Sequence, residues 1–508
     1  MKFYNNYIKK ILQARVYDVA EKTRLDYATH LSRRFDNHIW IKREDMQPVF
    51  SFKLRGAYNK IVNLSDDTLA KGVIAASAGN HAQGVALSAA KLKIPAMIVM
   101  PKTTPEIKVT AVRSRGAEVI LHGTTYDDAS QYAKQLVEQK QLTYIHPYDD
   151  PEVIAGQGTI GMEILQQHTE DLEAIFIPVG GGGLLAGIAA YVKYLRPEIK
   201  IIGVEPDDAG CLYAALQAGE RVTLEQVGIF ADGVAVRQAG RLPFELAQTH
   251  VDEVLLANTD EICAAIKDIF EDTRTITEPA GALALAGLKQ YIARENCQGR
   301  HLVTIASGAN MNFDRLGYIA ERTEIGEQRE ALMAVTLPEQ VGSFREFCHA
   351  IGHHFMTEFN YRYENDTQAH VFIGLRLTEG FTEKDKLIKR LRDKNYSVID
   401  LTDNEIAKTH IRHMVGGHPL PSQLLNERLY RFEFPERPGA LFHFLTSIGQ
   451  RWNISLFHYR NHGAAYGRVL VGIQVPTEQL SEFQHFLDNL KYPYWAEVDN
   501  PAYQLFLN

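Results

Sequence analysis

The sequence has little of several features that would each point to a particular class of protein. Only four cysteines occur in 508 residues, Cys211, Cys263, Cys297 and Cys348, and none of them forms a Cys-x-x-Cys pair. Their spacing argues against a disulfide framework or a cysteine-based zinc site and fits reduced thiols in a cytosolic protein. No run of about 18 apolar residues occurs, and the first ten residues lack the apolar core of a signal peptide. We therefore expect no membrane partner and a cytoplasmic location.

Blocks of like charge are also missing. The chain has 54 basic and 62 acidic residues, which gives a net charge of −8 with neutral histidines, and the two signs are mixed along the chain. This mixture argues against nucleic acid or an anionic membrane as the main partner. A chain of 508 residues is too long for one compact core, so we expect roughly two to four domains.

The first three fifths of the chain show a regular alternation. Short apolar or β-branched runs alternate with longer segments rich in alanine, leucine and charge, which is typical of an α/β fold with open sheets and helices on both faces. Strands are predicted at 39–41, 73–76, 96–100, 118–121, 174–179, 200–204 and 302–306, and helices at 81–92, 106–114, 126–139 and 184–195. Binding sites in such sheets collect at the carboxyl ends of the strands, so the loops there are the first candidates.

One lysine is a candidate for covalent chemistry. Lys53 lies in Ser-Phe-Lys-Leu-Arg-Gly-Ala, with apolar neighbours and a helix-like segment that follows over 56–62. We predict that it lies at a loop-to-helix junction. A lysine amine condenses with an aldehyde to a Schiff base when its surroundings favour the uncharged form. Because a single lysine is more often a solvated surface charge, the loops must support this hypothesis.

The first supporting loop follows the predicted strand 73–76. It reads Ser-Ala-Gly-Asn-His-Ala-Gln-Gly from Ser77 to Gly84 and opens directly into an alanine-rich helix. Free N–H groups and small polar side chains at a helix start are suited to a carboxylate or phosphate. The alternative is an ordinary N-cap by Ser77 or Asn80.

Two further loops carry signals. Four consecutive glycines, Gly180 to Gly183, precede Leu184 and an apolar helix. We predict that they bind a phosphate, because glycine lets the backbone approach closely and directs several N–H groups inward. The run is neither the spaced dinucleotide fingerprint nor a P-loop, and the alternative is a flexible linker. The third loop, Ser-Gly-Ala-Asn from Ser307, offers one uncharged hydrogen-bonding side chain, although alone it would be an ordinary turn.

An amine nucleophile, a phosphate-binding loop and a neutral hydrogen-bonding serine together describe a site for pyridoxal 5′-phosphate. The four motifs, in this order, resemble those of the threonine and serine dehydratases of the tryptophan-synthase-like fold. The resemblance implies that Lys53 forms the Schiff base. We hypothesise that its freed amine then removes the Cα proton as general base, and we assign no metal ligand. The resemblance also implies that Asn80 hydrogen-bonds the cofactor's 3′-hydroxyl, that Gly180, Gly181, Gly182, Gly183 and Leu184 hold its phosphate, that Ser307 faces its pyridine nitrogen, and that Ser77, Gly79 and His81 grip the substrate carboxylate.

The serine opposite the pyridine nitrogen bears on the type of reaction. A carboxylate there would keep the nitrogen protonated and favour a long-lived carbanion, whereas a neutral serine suits prompt loss of a β-substituent. With L-threonine as substrate, the products would be 2-oxobutanoate and ammonia. Two alternatives stay open. One is another reaction of the same fold, such as that of serine dehydratase, threonine synthase, cysteine synthase or a racemase. The other is a non-catalytic amino-acid sensor.

The last third of the chain contains an internal repeat. The segment 337–344, Leu-Pro-Glu-Gln-Val-Gly-Ser-Phe, recurs at 434–441 as Phe-Pro-Glu-Arg-Pro-Gly-Ala-Leu, and segments 358–362 and 371–374 recur 98 residues later. Each copy places a turn between a strand-like run and an amphipathic helix. The copies resemble the ACT-like modules that bind small amino acids and adjust enzyme activity. The alternative is a pair that forms only an oligomer interface.

These observations give a domain plan. We predict a catalytic domain over 1–320, a charged linker over 321–333, and ACT-like regulatory subdomains over 334–415 and 416–508. With two such modules, the chain resembles the members of the family that open isoleucine biosynthesis. That resemblance implies a homotetramer, inhibition by isoleucine and its relief by valine. The pairs His353-His354 and His410–His413 are predicted to be packing or surface residues, because no acidic or cysteine ligands accompany them.

Overall fold

The computed structural model describes residues 2–352, 354–363, 367–414, 425–435, 444, 451–460, 466–490, 492–497 and 499. The chain divides into two units, Met1–Thr323 and Glu324–Asn508. The predicted linker over 321–333 is occupied by the end of one helix and the beginning of a strand. In the described ranges, no helix is both long and apolar enough to cross a membrane.

The first unit alternates strands and helices. Its strands are β1 Leu25–Tyr27, β2 His38–Arg43, β3 Val73–Ala76, β4 Ala96–Met100, β5 Glu118–Leu121, β6 Thr143–Tyr144, β7 Leu172–Pro178, β8 Lys200–Pro206, β9 Glu253–Ala257 and β10 His301–Ala306. Its helices are α1 Lys2–Leu12, α2 Thr29–Phe35, α3 Lys53–Val62, α4 Asp66–Lys71, α5 Asn80–Leu92, α6 Glu106–Arg113, α7 Tyr126–Lys140, α8 Pro151–Gln167, α9 Gly183–Leu195, α10 Cys211–Ala218, α11 Arg241–His250, α12 Thr259–Thr273, α13 Pro279–Glu295 and α14 Arg315–Gly326.

These strands form two open sheets, which confirms the predicted α/β class. One sheet has the order β1-β2-β10-β7-β8-β9 and the other β5-β4-β3-β6. All pairs are parallel except β1 with β2. Because every residue of β3 and β4 is buried, these strands read as continuous apolar runs, and both were predicted with their observed ends. The sequence analysis missed β1, β6 and β9.

The packing of α8 against α9 fixes the beginning of α9, where the four glycines lie. A Cβ at Gly187 on α9 would lie 2.4 Å from the backbone oxygen of Ile154 and 2.7 Å from the backbone nitrogen of Gly158, both on α8. Glycine at position 187 therefore lets the two helix backbones approach closely. The amino-terminal part of α9, which follows the carboxyl end of β7, is therefore packed closely against α8.

The second unit has an antiparallel sheet with helices. Its strands are β11 Glu330–Pro338, β12 Met356–Arg362, β13 Gln368–Arg376, β14 Ser397–Asp400, β15 Glu427–Pro435, β16 Asn453–Arg460, β17 Tyr466–Gln474 and β18 Tyr494–Ala496. Its helices are α15 Ser343–Ile351, α16 Phe381–Asp393, α17 Glu405–Thr409 and α18 Leu480–Leu490. The sheet order is β14-β11-β13-β12-β16-β17-β15-β18.

The internal repeat is visible in this sheet as an approximate twofold symmetry. The equivalent strands β12 and β16 pair at its centre, where Asn360 lies opposite His458, its counterpart 98 residues later. A register shift occurs at the same place in each copy, beside Thr357 and beside Ser455. The recurring turn at 436–441, the predicted boundary at 415/416 and His353 lie outside the described residues.

Candidate active site

Lys53 is the first residue of α3, as predicted from its loop-to-helix setting. The residues before it are fastened to the loop after β10. The Phe52 N–H donates to the backbone oxygen of Ser307 at 3.3 Å, and Ser51 pairs with Gly308 in a short antiparallel bridge. These bonds hold the segment that leads into Lys53 against Ser307, the predicted partner of the ring nitrogen.

The surroundings of Lys53 increase the fraction of its amine that is neutral. Its Nζ donates to the backbone oxygen of Pro147 at 3.1 Å. Loss of hydration lowers the pKa of Lys53 to about 8, and the negative charge of Glu278 opposes this fall only in part. With that pKa, roughly one amine in ten is uncharged at pH 7, far more than for a free lysine. A neutral amine is both a nucleophile and a base.

The loop from Ser77 leads into α5, but neither Ser77 nor Asn80 caps the helix. The N-cap residue is Gly79 and no side chain bonds to the first turn, so the N-cap interpretation is wrong. The Gly79 N–H donates to Ser77 Oγ at 3.3 Å. Apart from Gly79 and its two chain neighbours, no atom of the described residues lies within 4 Å of the place where a Gly79 Cβ would be. The loop therefore presents its backbone to an open space at the beginning of a helix, which suits a carboxylate.

The imidazole of His81 takes no direct part in this loop. It is buried, and its Nε2 lies 2.8 Å from the backbone oxygen of Ile145. Because a carbonyl only accepts, Nε2 carries the proton of that bond. Burial first, and the charge of Lys53 second, lower the pKa of His81 to about 3, so the ring is neutral. Only the backbone N–H of His81 remains available to a substrate carboxylate.

The tetraglycine loop joins β7 to α9 and has no room for side chains. A Cβ at Gly181 would lie 2.2 Å from the ring of Tyr148, and one at Gly183 would lie 2.9 Å from the Tyr148 backbone oxygen. Gly182 has a φ of +90°, which only glycine adopts readily. The first N–H groups of α9 have no acceptor in a preceding turn. The loop is thus a backbone cradle with the positive end of a helix dipole, which suits a phosphate.

Ser307 follows β10 and is buried. Its hydroxyl donates to the backbone oxygen of Ala280, in the first turn of α13, at 3.2 Å. The side chain is therefore an uncharged hydrogen-bonding group at the end of a central strand.

The sequence analysis missed two groups that complete the site. The first is the segment 146–150 between β6 and α8. In this segment, the backbone oxygen of Pro147 accepts a hydrogen bond from Lys53, and the ring of Tyr148 packs against Gly181. Its only sequence signal, Asp-Asp-Pro, indicates the beginning of a helix. The second is Glu278, whose Oε1 accepts a hydrogen bond from Asn80 Nδ2 at 2.5 Å.

One group of side chains in the described ranges has the spacing of metal ligands. Ligand atoms of His168, Glu170 and His301 lie within 4.8 Å of one another. His301 begins β10 and Ser307 follows its end, so this group lies at the opposite edge of the sheet from the site. His168 Nε2 and His301 Nδ1 lie 3.1 Å apart and share a hydrogen bond. We interpret the pair as packing and assign no metal to it.

The groups that meet at the site fit pyridoxal 5′-phosphate. A partly neutral lysine amine suits its aldehyde, and the glycine cradle, in which a Cβ would collide with Tyr148, suits its phosphate. The amide of Asn80 and the hydroxyl of Ser307 supply uncharged hydrogen bonds for the ring. The donor set thus matches the cofactor in charge and in hydrogen bonding.

Comparison with known proteins supports the same cofactor. Residues 16–308 match the family model described as pyridoxal-phosphate dependent enzyme. Residues 321–411 and 421–507 each match the model described as the C-terminal regulatory domain of threonine dehydratase. The biosynthetic L-threonine dehydratase of Burkholderia multivorans is 55% identical over 508 residues, with 99% of each chain covered. That of Pasteurella multocida is 56% identical, covering 99% of this chain and 97% of the relative.

Solved structures also resemble the chain. The processed threonine deaminase isoform 2 of Solanum lycopersicum is 50% identical with a TM-score of 0.63, covering 64% of this chain and 89% of that one. A serine racemase from maize is 32% identical with a TM-score of 0.58, covering 61% of this chain and 95% of that one.

Proposed function

The chain belongs to the threonine dehydratases, a branch of the pyridoxal-phosphate-dependent enzymes, and from this membership we propose how its own residues carry the reaction. The enzyme converts L-threonine into 2-oxobutanoate and ammonia. When bound, pyridoxal 5′-phosphate supplies the electron sink that makes the Cα proton acidic and lets the β-hydroxyl leave. The observation that carries the assignment of roles is the amine of Lys53, whose Nζ donates to the backbone oxygen of Pro147 at 3.1 Å and whose pKa is lowered by burial to about 8.

Four groups of this chain hold the cofactor. Lys53 would hold its aldehyde and Asn80 its ring hydroxyl, and Ser307 would offer a hydrogen bond to its ring nitrogen. The phosphate would be held by the N–H groups of Gly180, Gly181, Gly182, Gly183 and Leu184. The support is a set of contacts among these elements. Lys53 bonds to Pro147, and the next residue, Tyr148, lies against the tetraglycine loop. Phe52 bonds to Ser307, and Gly308 lies beside Asn80. A serine at the ring nitrogen leaves the site without a fixed charge there, which favours elimination over transamination.

Lys53 moves the proton. Its neutral Nζ would remove the Cα proton of threonine as general base. The loop that contains Ser77, Gly79 and His81 orients the substrate by binding its carboxylate, and because the Ser77 N–H already donates to the backbone oxygen of Val99 at 3.1 Å, Ser77 contributes its hydroxyl. The neutral, buried ring of His81 supports a role for its backbone rather than its imidazole. The β-hydroxyl takes up a proton and leaves as water, and the released enamine product then reacts with water to give 2-oxobutanoate and ammonia.

The substrate assignment has a direct test. Initial rates of product formation by the purified holoprotein are measured with L-threonine, L-serine and O-phosphohomoserine. We expect the highest kcat/KM with L-threonine and 2-oxobutanoate as its product. Turnover of O-phosphohomoserine without formation of 2-oxobutanoate from threonine would instead assign a different reaction of the same fold.

The second unit is proposed to regulate the first. We assign it the binding of isoleucine as inhibitor and of valine as the effector that relieves inhibition. Support comes from the two matches to a threonine dehydratase regulatory domain and from the approximate twofold symmetry of its sheet. Such regulation requires that isoleucine bind two global states with different affinity.

The assembly and location are part of the same proposal. We propose a homotetramer, as the family resemblance implies, and light scattering of the purified protein measures its mass. We also propose a cytoplasmic location, which is supported by four cysteines that form no disulfide and is tested by cell fractionation.

A further inference from the structure

Glu278 is a buried carboxyl group at the site for which the reaction outlined above has no role. It is the residue before α13 and is only 4% exposed. Its N–H donates to the backbone oxygen of Gly308 at 3.1 Å, next to Ser307. A Cβ at Gly308 would lie 2.5 Å from Glu278 Oε1. The carboxyl thus occupies space that exists only because residue 308 is glycine.

A chain of hydrogen bonds fixes which way the neighbouring amides face. Asn310 Nδ2 donates to the backbone oxygen of Val49 at 2.8 Å and to Asn80 Oδ1 at 2.6 Å. A backbone carbonyl only accepts, so the Asn310 amide can have only this orientation, and both of its hydrogens are used. The Asn80 oxygen must then face Asn310, and its Nδ2 must face Glu278.

This orientation has a consequence for the cofactor. One Nδ2 hydrogen of Asn80 is engaged by Glu278 and its oxygen by Asn310. The second Nδ2 hydrogen is left as a donor to a ligand. Without the contact to Glu278, the Asn80 side chain would be held at its oxygen only.

We propose that Glu278 is a positioning residue for the dehydration, which holds the Asn80 amide in the orientation that donates to the ring hydroxyl of pyridoxal 5′-phosphate. The inference rests on the proposed function and deepens it. Glu278 acts through Asn80, with which it makes a hydrogen bond across 198 residues of sequence.

The charge of Glu278 also matters to the site. Burial, and next the charge of Asp232, raise the pKa of Glu278 to about 7, while donation by Asn80, the charge of Lys108 and the N–H of Asn310 lower it. The surrounding charges are paired among themselves, because Asp232 binds Lys108 at 2.6 Å and Arg315 at 3.3 Å. The remaining charged neighbour is Lys53, whose pKa Glu278 raises.

Protonation would disturb the arrangement. A neutral carboxyl group donates one hydrogen, and an Asn80 that turned its oxygen toward that hydrogen would lose the bond from Asn310. A neutral carboxyl group keeps one acceptor oxygen for Asn80, but only the ionised form of Glu278 offers acceptors alone and so holds the observed orientation without a competing donor. The hydrogen that Asn80 can donate to the cofactor ring therefore depends on this charge. The pKa of Lys53 depends on it as well, because the negative charge of Glu278 raises that pKa.

Two variants separate charge from hydrogen bonding. Glu278→Gln removes the charge but keeps an oxygen that accepts from Asn80, whereas Glu278→Ala removes both. The matched control is Asp268→Asn, which neutralises an equally buried carboxylate bonded to Arg34 and Lys289 instead of the site residues. Each holoprotein is titrated with base while the visible absorption band of the bound cofactor is recorded.

The expected result is a shift in the pH midpoint of that band. Loss of a nearby negative charge makes protons easier to remove, so the midpoint falls by about 1 to 3 pH units in both Glu278 variants and stays in place in the control. The kcat for threonine falls by at least about tenfold in Glu278→Ala, because Asn80 loses a buried partner, and by less in Glu278→Gln.

The outcomes are distinguishable. A Glu278→Gln midpoint that matches the wild type and the control would overturn the inference, as would a Glu278→Ala enzyme with the wild-type kcat. If Glu278→Ala does not fold, the midpoint of the isosteric Gln variant decides alone. A wild-type protein that binds no cofactor and shows no visible band would contradict the proposed function itself.

Discussion

Two buried polar clusters in the first unit have opposite electrostatic character. In the cluster around Arg55, the guanidinium binds Glu44 at 2.8 Å and Glu163 at 2.6 Å, and Lys42 binds Glu163 at 2.6 Å. All four side chains are fully buried. Although burial acts to raise it, the charges of Arg55 and Lys42 hold the pKa of Glu163 below its usual value.

The cluster around Glu278 contains amides where the first contains cations. In the described part of the chain, no lysine or arginine lies within ion-pair distance of its carboxyl, and burial raises the pKa of Glu278 to about 7. The comparison teaches that a buried carboxylate with cation partners stays charged and joins elements together. A buried carboxyl that faces amides stays titratable near neutral pH, and such groups cluster at functional sites.

The two clusters are connected through α3. Arg55 lies two residues after Lys53 on the same helix and reaches Glu163 on α8 and Glu44 after β2. The charged cluster therefore anchors the helix whose first residue carries the amine. It positions the site without taking part in the proton chemistry.

The largest expected effect is the loss of turnover when Lys53, the reactive residue of the site, is replaced. In Lys53→Ala the nucleophile and base are lost, so we expect kcat for threonine to fall by at least about 10⁴-fold. The melting temperature should change little. The control is Lys60→Ala on the same helix, which breaks a partly exposed ion pair with Asp150 and should keep the wild-type rate. A Lys53→Ala enzyme with a near-normal rate would refute the mechanism.

Breaking the cluster around Arg55 should lower the stability of the first unit. In Glu163→Ala, both Arg55 and Lys42 lose a buried partner, so we expect the first unit to lose about 3–5 kcal/mol of unfolding free energy. Urea unfolding at pH 7, followed by a probe in the first unit, measures the loss. A change below about 1 kcal/mol would mean that the cluster does not anchor α3.

The pH dependence of stability should have opposite signs in the two clusters. A carboxyl group with a pKa near 7 when folded and near 4.5 when unfolded binds more protons in the native state between those values. The wild type should therefore lose about 3 kcal/mol relative to Glu278→Gln as pH rises from 4.5 to 7. Glu163 instead contributes stability that is lost as pH falls below its unfolded pKa. Urea titrations of the apoprotein at both pH values test this, and a difference between wild type and Glu278→Gln that does not change with pH would contradict it.

Deletion of the second unit is expected to have the smallest effect on catalysis. Deletion from about residue 330 onward should remove inhibition by isoleucine more completely than it reduces turnover, because the predicted site residues all lie in the first unit. Initial rates with and without isoleucine measure both. A truncated enzyme that isoleucine still inhibits fully would contradict the assignment of regulation.

The sequence predicted the parts of the molecule that are encoded locally. The strands over 73–76, 96–100 and 118–121 have their predicted ends because each is a short apolar run between helices. The glycine loop was recognisable because four glycines between apolar segments have few other uses. Lys53 was identified by its flanking residues and by its order among the motifs.

Contacts between distant segments could not be predicted. Glu278 lies in Thr-Glu-Pro-Ala-Gly, which indicates only a helix start, and nothing local places it beside Asn80. The imidazole of His81 turns toward Ile145 because the fold offers it a buried carbonyl there. The short strand β6 has two residues, too few for a periodic pattern.

The most direct test of the account is the initial rate of 2-oxo acid formation from L-threonine by the purified protein as isoleucine is titrated in. The account predicts 2-oxobutanoate formation that depends on Lys53 and falls cooperatively with isoleucine. A rate that does not change with isoleucine concentration would contradict the regulatory assignment. A protein that forms no 2-oxobutanoate from threonine would contradict the central claim.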